Sequence, residues 1–183
     1  MKWSDIKQLC FDKMFVYDPS DEDNKEYSNK FQHLANECLV MIANCVKPKI
    51  GTYNITTTEE YQLVEFPSDF ISFNNMKGIK DGVCFTIPQY TKRNTVILPE
   101  IGTYTLYYNA LWDAITEENV NTDNELEIDT SILYVLPTYI VYNILAQDDI
   151  QRSVIMKNDF EILLSRLDNT ILYQSDSFES EWI

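Results

Sequence analysis

The apolar residues of this chain change their spacing twice, and that double change restricts the folds open to it. Near the start they recur at helical intervals: Trp3, Ile6, Leu9, Cys10 and Met14 share one face. After the breaker DPSDEDN, a longer stripe follows from Asn24 to about Val46, made of Tyr27, Phe31, Leu34, Ala35, Cys38, Leu39 and Ile42. Asp23 and Glu26 stand at capping-box spacing in front of it, and KPKIG ends it. The period then falls to two. TYNITTTEEYQLVEF, FISF, GVCFTI, TVIL and GTYTLYYNALW are rich in β-branched and aromatic residues, and Tyr104, Leu106 and Tyr108 alternate with Thr103, Thr105 and Tyr107. KDG (Lys80 to Gly82) and LPEIG (Leu98 to Gly102) supply turns. Beyond an acidic stretch the helical period returns. One helix is expected over about 131–147, with a kink or late start at Pro137. A second is expected over about 150–170, on Ile150, Val154, Phe160, Leu163, Leu164 and Leu167, with Asp148 and Asp149 as loop and N-cap between the two.

The pattern predicts an α+β fold: a bundle of about four helices with a small antiparallel β subdomain of five or six strands inserted in its middle. The expected segments are N-terminal bundle helices over 1–51, the β insertion over 52–112, and an acidic loop over 113–129. The C-terminal bundle helices follow over 130–172, then a flexible acidic tail over 173–183. With 183 residues the chain fits one domain, or one domain with an insertion, and can bury roughly 70% of its unfolded surface without staples.

Charge removes several functions. The formal net charge is −15, which opposes any grip on nucleic acid that works by neutralising phosphates, and opposes anionic membranes as well. It does not oppose a surface past which DNA slides without sticking. Thr130 to Gln147 carries no charge and approaches the length of a membrane span, but it holds Pro137, Asn143 and Gln147 and has acidic flanks. It is read as a buried core helix. The opening MKWSDIKQLCFDK is charged throughout and is not read as a secretory leader. Cys10, Cys38, Cys45 and Cys84 fit no zinc or haem spacing and are expected as reduced, buried thiols.

Catalytic constellations are hard to assemble from these residues. His33 is the single histidine and falls opposite the Leu34/Cys38 stripe, so it is expected in solvent. Neither GxxxxGK[ST] nor GxGxxG occurs. NVNTDNELEIDT places side-chain oxygens at alternate positions from Asn119, yet its sixth position is Asn124 rather than Gly and its twelfth is Thr130 rather than Glu. The carboxylate doublets Glu59/Glu60, Glu117/Glu118 and Asp148/Asp149 do not by themselves face each other across a cleft. The expectation is a protein that is not an enzyme, with no cofactor and no metal.

Two stretches remain. In EFPSDFISFNNMKGI, Pro67 has a fixed φ suited to a turn, Ser68 and Asp69 can bond back to nearby backbone, and Phe70 begins the next strand. Pro67, Asp69 and Phe70 are read as a structural corner whose aromatics fill a small core. QSDSFESEWI closes the chain, acidic yet holding Phe178, Trp182 and Ile183. These three are expected to anchor a partner, because such a segment does not fold alone and large apolar groups are favoured interface anchors.

The order of parts resembles the head-to-tail adaptor (connector or ring) proteins of tailed bacteriophages. The likeness rests on the helix around HLANECLVMIANCV, the EFPSDFISFNNMKGI corner and the closing NDFEILLSRL helix. Its most characteristic part is LPEIGTYTLYYNALWDAIT leading into LEIDTSILYVLPTYIVYNILAQDD. It spans about residues 3 to 172, and Pro137 inside the third helix departs from the family's pattern. Asn-, Ile- and Tyr-rich usage suits an AT-rich phage genome, of the crAss-like kind. The resemblance implies a structural virion protein, made in the host cytoplasm and placed in the neck. Its implied partners are the portal protein, further copies of itself in a ring of twelve, and further ring or tail proteins, with DNA passing through unbound and no membrane contact. The other class weighed is an acidic protein-binding module or DNA mimic, which would hold its carboxylates on one rigid face.

Overall fold

The computed structural model describes residues 1–15, 22–87 and 94–178. The fold is α+β. Its elements run α1 (Trp3–Met14), α2 (Glu22–Cys45), β1 (Lys49–Thr57), β2 (Gln62–Glu65), β3 (Phe70–Lys80) and β4 (Val83–Thr86). They continue with β5 (Thr95–Leu98), β6 (Gly102–Ala110), α3 (Glu117–Thr122), α4 (Thr130–Leu133), α5 (Leu136–Asp148) and α6 (Ile150–Phe178). The chain forms two compact units. One combines Met1–Lys47 with the chain from Asp113 onward; the other is Pro48–Trp112.

In the helical unit α5 is central because it is apolar nearly all round. Leu136, Ile140, Val141, Ile144 and Leu145 are all buried along it, and α1, α2 and α6 pack against it. The α2 stripe delivers Phe31, Ala35, Cys38, Leu39 and Ile42 to this core. Phe31 meets Phe11 of α1 with ring centroids 5.3 Å apart. The uncharged run from Thr130 to Gln147 is thus core rather than a span; among the described residues no helix is long and apolar enough to cross a membrane.

Several sequence expectations are refined or corrected here. Of the two alternatives at Pro137, a kink or a late start, the late start is the one found. The run divides into α4 and α5, and Pro137 sits in the first turn of α5, where a missing N–H costs nothing. Asp23 is not an N-cap, since α2 already includes Glu22. The stretch 113–129 is not simply a loop. It contains α3, started by a reciprocal cap in which the Asn119 N–H donates to Thr116 Oγ1 at 3.3 Å and the Thr116 N–H donates to Asn119 Oδ1 at 2.8 Å. Lys49–Gly51 belong to β1 rather than to the N-terminal helices. The last helix also continues to Phe178, into the segment expected to be a flexible tail.

The β unit holds a four-stranded antiparallel sheet, order β1-β6-β3-β4, and a two-stranded sheet, β2-β5. TYNITTTEEYQLVEF holds most of β1, a connection and β2, so the described strands number six, within the expected five or six. Along β6 the inward residues are Tyr104, Leu106, Tyr108 and Ala110, as the alternation requires. They join Val64, Phe66, Ile87, Val96 and Leu98 in one core. β1 pairs with β6 in unbroken register from Lys49↔Ala110 to Thr57↔Gly102. Gly51, opposite Tyr108, is needed there: a Cβ at that position would stand 2.4 Å from Tyr108 Cζ. The KDG turn closes the β3–β4 hairpin with Asp81 at φ 48° and Gly82 at φ 85°, the left-handed pair that a two-residue turn needs.

Candidate functional site

The EFPSDF corner is built from both directions of the β unit. The Phe70 N–H donates to Pro67 O at 3.1 Å, closing a turn between β2 and β3. Asp69 fastens that turn to the sheet: its backbone O accepts from the Leu111 N–H at 2.8 Å, and its carboxylate accepts from the Tyr108 hydroxyl at 3.1 Å. Gly51 makes room for the Tyr108 ring that carries this hydroxyl across the sheet. Phe66 then sits among four rings, with centroids at 5.6 Å to Tyr53, 4.6 Å to Phe70, 5.1 Å to Phe73 and 5.5 Å to Tyr108. The tilted and edge-on arrangements are those that aromatic quadrupoles favour. Burial pushes the Tyr108 phenol up to about 12, and the neighbouring Asp69 charge adds to the effect. Pro67, Asp69 and Phe70 are thus brought together, and the aromatic side chains around them face one another.

In the helical unit a cleft of about 710 Å³ lies between α2 and α5, lined by Glu26, Tyr27, Lys30, His33, Asn143 and Asp148 among others. It holds the only histidine in the chain. His33 is 78% exposed, and its Nε2 lies 3.2 Å from Glu37 Oε1, one turn along α2. The Tyr27 hydroxyl donates to Asp148 at 2.8 Å. Among the described residues, His33 pairs with the Glu37 carboxylate on its own helix, and the cleft beside it is lined by polar side chains of α2 and α5.

The acidic stretch read against a calcium loop has its oxygens engaged internally. Asp123 accepts from the Ser4 N–H and the Ser4 hydroxyl, both at 2.9 Å, and these bonds hold its carboxyl below the usual range. Burial works against the Asp129 carboxylate. Hydrogen bonds from Lys47 and Ser131 outweigh it and leave this carboxyl below the usual range too. Lys47 Nζ approaches Asp129 to 2.6 Å, and the Ser131 N–H donates to the same carboxylate at 2.8 Å as the cap of α4. Asp149 caps α6 by accepting from the Arg152 N–H at 3.1 Å. Among the described residues no group of three or more His, Cys, Asp or Glu could hold a metal ion.

The thiols divide. Cys10 and Cys38 are buried, and burial pushes Cys10 up to about 12 and raises Cys38 as well. Cys45 and Cys84 are exposed, against the sequence reading. Cys84 lies on the edge strand β4, whose side chains mostly face out, so apolar sequence neighbours do not cover it. Of the three residues expected as partner anchors, Phe178 is the last residue of α6, and Trp182 and Ile183 lie outside the described residues.

The Gly51–Tyr108–Asp69 linkage was missed by sequence reasoning. Its one signal was a glycine at the start of a strand, and the partner across the sheet lies far along the chain. No protein-family model matches this chain, and no curated protein does.

Proposed function

We propose that this chain is a non-enzymatic structural protein of a tailed-phage virion, a head-to-tail adaptor. It joins a homo-oligomeric ring beneath the portal, extends the DNA channel and offers a surface to the next ring or tail component. The observation that supports the reading best is the order of parts. The stretches of a helical unit drawn from both ends of the chain are separated in sequence by an antiparallel β unit, and the passage most like the adaptor family runs through β6, α3, α4 and α5. Twelve copies, a place in the virion neck and assembly in the host cytoplasm come from the resemblance. The net charge of −15 suits a channel wall, because a negative lumen repels phosphate and lets DNA pass without adhering. A DNA mimic fits less well: Asp123 and Asp129 are tied to Ser4 and Lys47 instead of being displayed together.

Size-exclusion chromatography of the purified chain with the purified portal of the same genome tests the proposal. Co-elution of the two as one complex is expected. A chain that elutes apart from portal at micromolar concentration would overturn the reading.

A further inference from the structure

One end of the β unit is stitched tightly yet leaves large apolar side chains in water. The connection from β1 to β2 and that from β5 to β6 meet there. Thr57 Oγ1 donates to Glu100 O at 2.9 Å and accepts from the Gly102 N–H at 2.9 Å. The β3–β4 turn joins them, with the Asp81 N–H donating to Thr103 O at 2.9 Å and the Thr103 N–H donating to Asp81 Oδ1 at 2.9 Å. On this framework Tyr61 is 71% exposed, Ile101 58% and Leu63 53%. Backbone pairing connects the segments that carry them. The Tyr61 N–H donates to Pro99 O at 3.3 Å, beside the connection that carries Ile101, and Leu63 stands directly opposite Ile97 in the β2–β5 register.

The backbone gives a second, independent sign. Tyr61 has φ 58°, the left-handed region where a bulky side chain is an outlier. Strain of this kind persists where the surroundings impose it, and it collects at binding clamps. Here it holds an aromatic ring out in solvent, at the end of the unit that also exposes Leu63 and Ile101, in a conformation that glycine would adopt without strain.

Charge indicates what covers the patch. Glu59 and Glu60 are exposed next to Tyr61 in the chain and make no ion pair among the described residues. Lys80, a cation at this end, pairs with Glu100. A second copy docking through this same end would set these carboxylates against their own kind, and nucleic acid or an anionic lipid surface would be repelled. We propose that this end of the β unit is a docking surface for a different protein, one that presents apolar side chains bordered by lysine and arginine. Tyr61, Leu63 and Ile101 enter the apolar centre, and the glutamates meet the basic border. The inference does not depend on the adaptor reading.

A photo-cross-linking side chain, benzoylphenylalanine, placed at position 61 of the full chain tests it, in the cells that naturally make the protein. Mass spectrometry then identifies the cross-linked peptide. The expected product is a different protein, linked through a segment whose apolar residues are flanked by Lys or Arg. Its yield should fall by about tenfold or more in both Leu63→Ser/Ile101→Ser and Glu59→Lys/Glu60→Lys backgrounds. Because these positions are exposed, both backgrounds should melt like the parent. Cross-links to another copy of the chain, to nucleic acid or to lipid would overturn the proposal. So would a partner segment without basic residues, yields indifferent to both double substitutions, or no cross-link at all.

Discussion

Replacing Phe66 by alanine separates a corner that fills a core from one that clamps a ligand. Phe66 is 5% exposed and touches the rings of Tyr53, Phe70, Phe73 and Tyr108. Truncating a buried phenylalanine costs about 3–5 kcal/mol in transfer and cavity terms. Each aromatic pair is worth about 0.5–1.5 kcal/mol beyond its buried area, which places this site toward the upper part of that range. A domain is stable by only about 5–15 kcal/mol, so the β unit should unfold at markedly lower denaturant. Urea titration followed by circular dichroism and fluorescence measures the change. The matched control is Tyr61→Gly, which removes an exposed ring from a left-handed position. It should leave stability unchanged or raise it by up to about 1 kcal/mol. A loss below about 1 kcal/mol for Phe66→Ala would refute the argument, because a ring packed among four others cannot be removed so cheaply.

Gly51→Ala forces a Cβ to within 2.4 Å of Tyr108 Cζ; the ring must shift and loosen its bond to Asp69, at a cost of about 1–3 kcal/mol by thermal denaturation. Stability should fall at both extremes of pH. Asp123 and Asp129 have lowered pKa values in the fold, so their contribution is full above the unfolded carboxylate range, near 4, and is lost as pH drops through their folded values. Asp129→Asn should flatten that acid limb in melts taken from pH 7 to pH 3. Tyr108 and Tyr139 are raised to about 12, so the fold favours their neutral forms, and stability should decline as pH rises from the unfolded phenol value of about 10 toward 12. Difference absorbance of the phenolates reads the same transition directly. Deleting 174–183 should leave the melting temperature almost unchanged but weaken portal docking by about 2 kcal/mol or more if an anchor is lost; unfolding, or docking as tight as the full chain, would remove Phe178, Trp182 and Ile183 from the interface.

The parts of the fold that rest on local pattern were legible in the sequence. The α2 stripe, the β6 alternation and the KDG hairpin each carry their own signal in adjacent residues. What could not be read depends on partners far along the chain. Asp69 reaches Tyr108 and Leu111, and Asp123 bonds Ser4 across the helical unit. α3 was missed because six residues offer under two turns of periodicity and its cap uses Asn119 rather than Glu or Gln. Strand order is likewise a tertiary choice: nothing near Cys84 announces that β4 is an edge, so its thiol was placed inside. The place at which TYNITTTEEYQLVEF divides was hidden by a run of β-formers on both sides of a turn without glycine or proline, and it is this turn that carries the strained Tyr61.

Native mass spectrometry of the chain with its portal tests the central claim most directly. The chain alone should appear as a monomer, because its charge opposes self-association without a template. With portal present it should appear as one ring of twelve bound per portal assembly. A stable ring at micromolar concentration without portal, or a chain that stays monomeric beside an intact portal, would contradict the account.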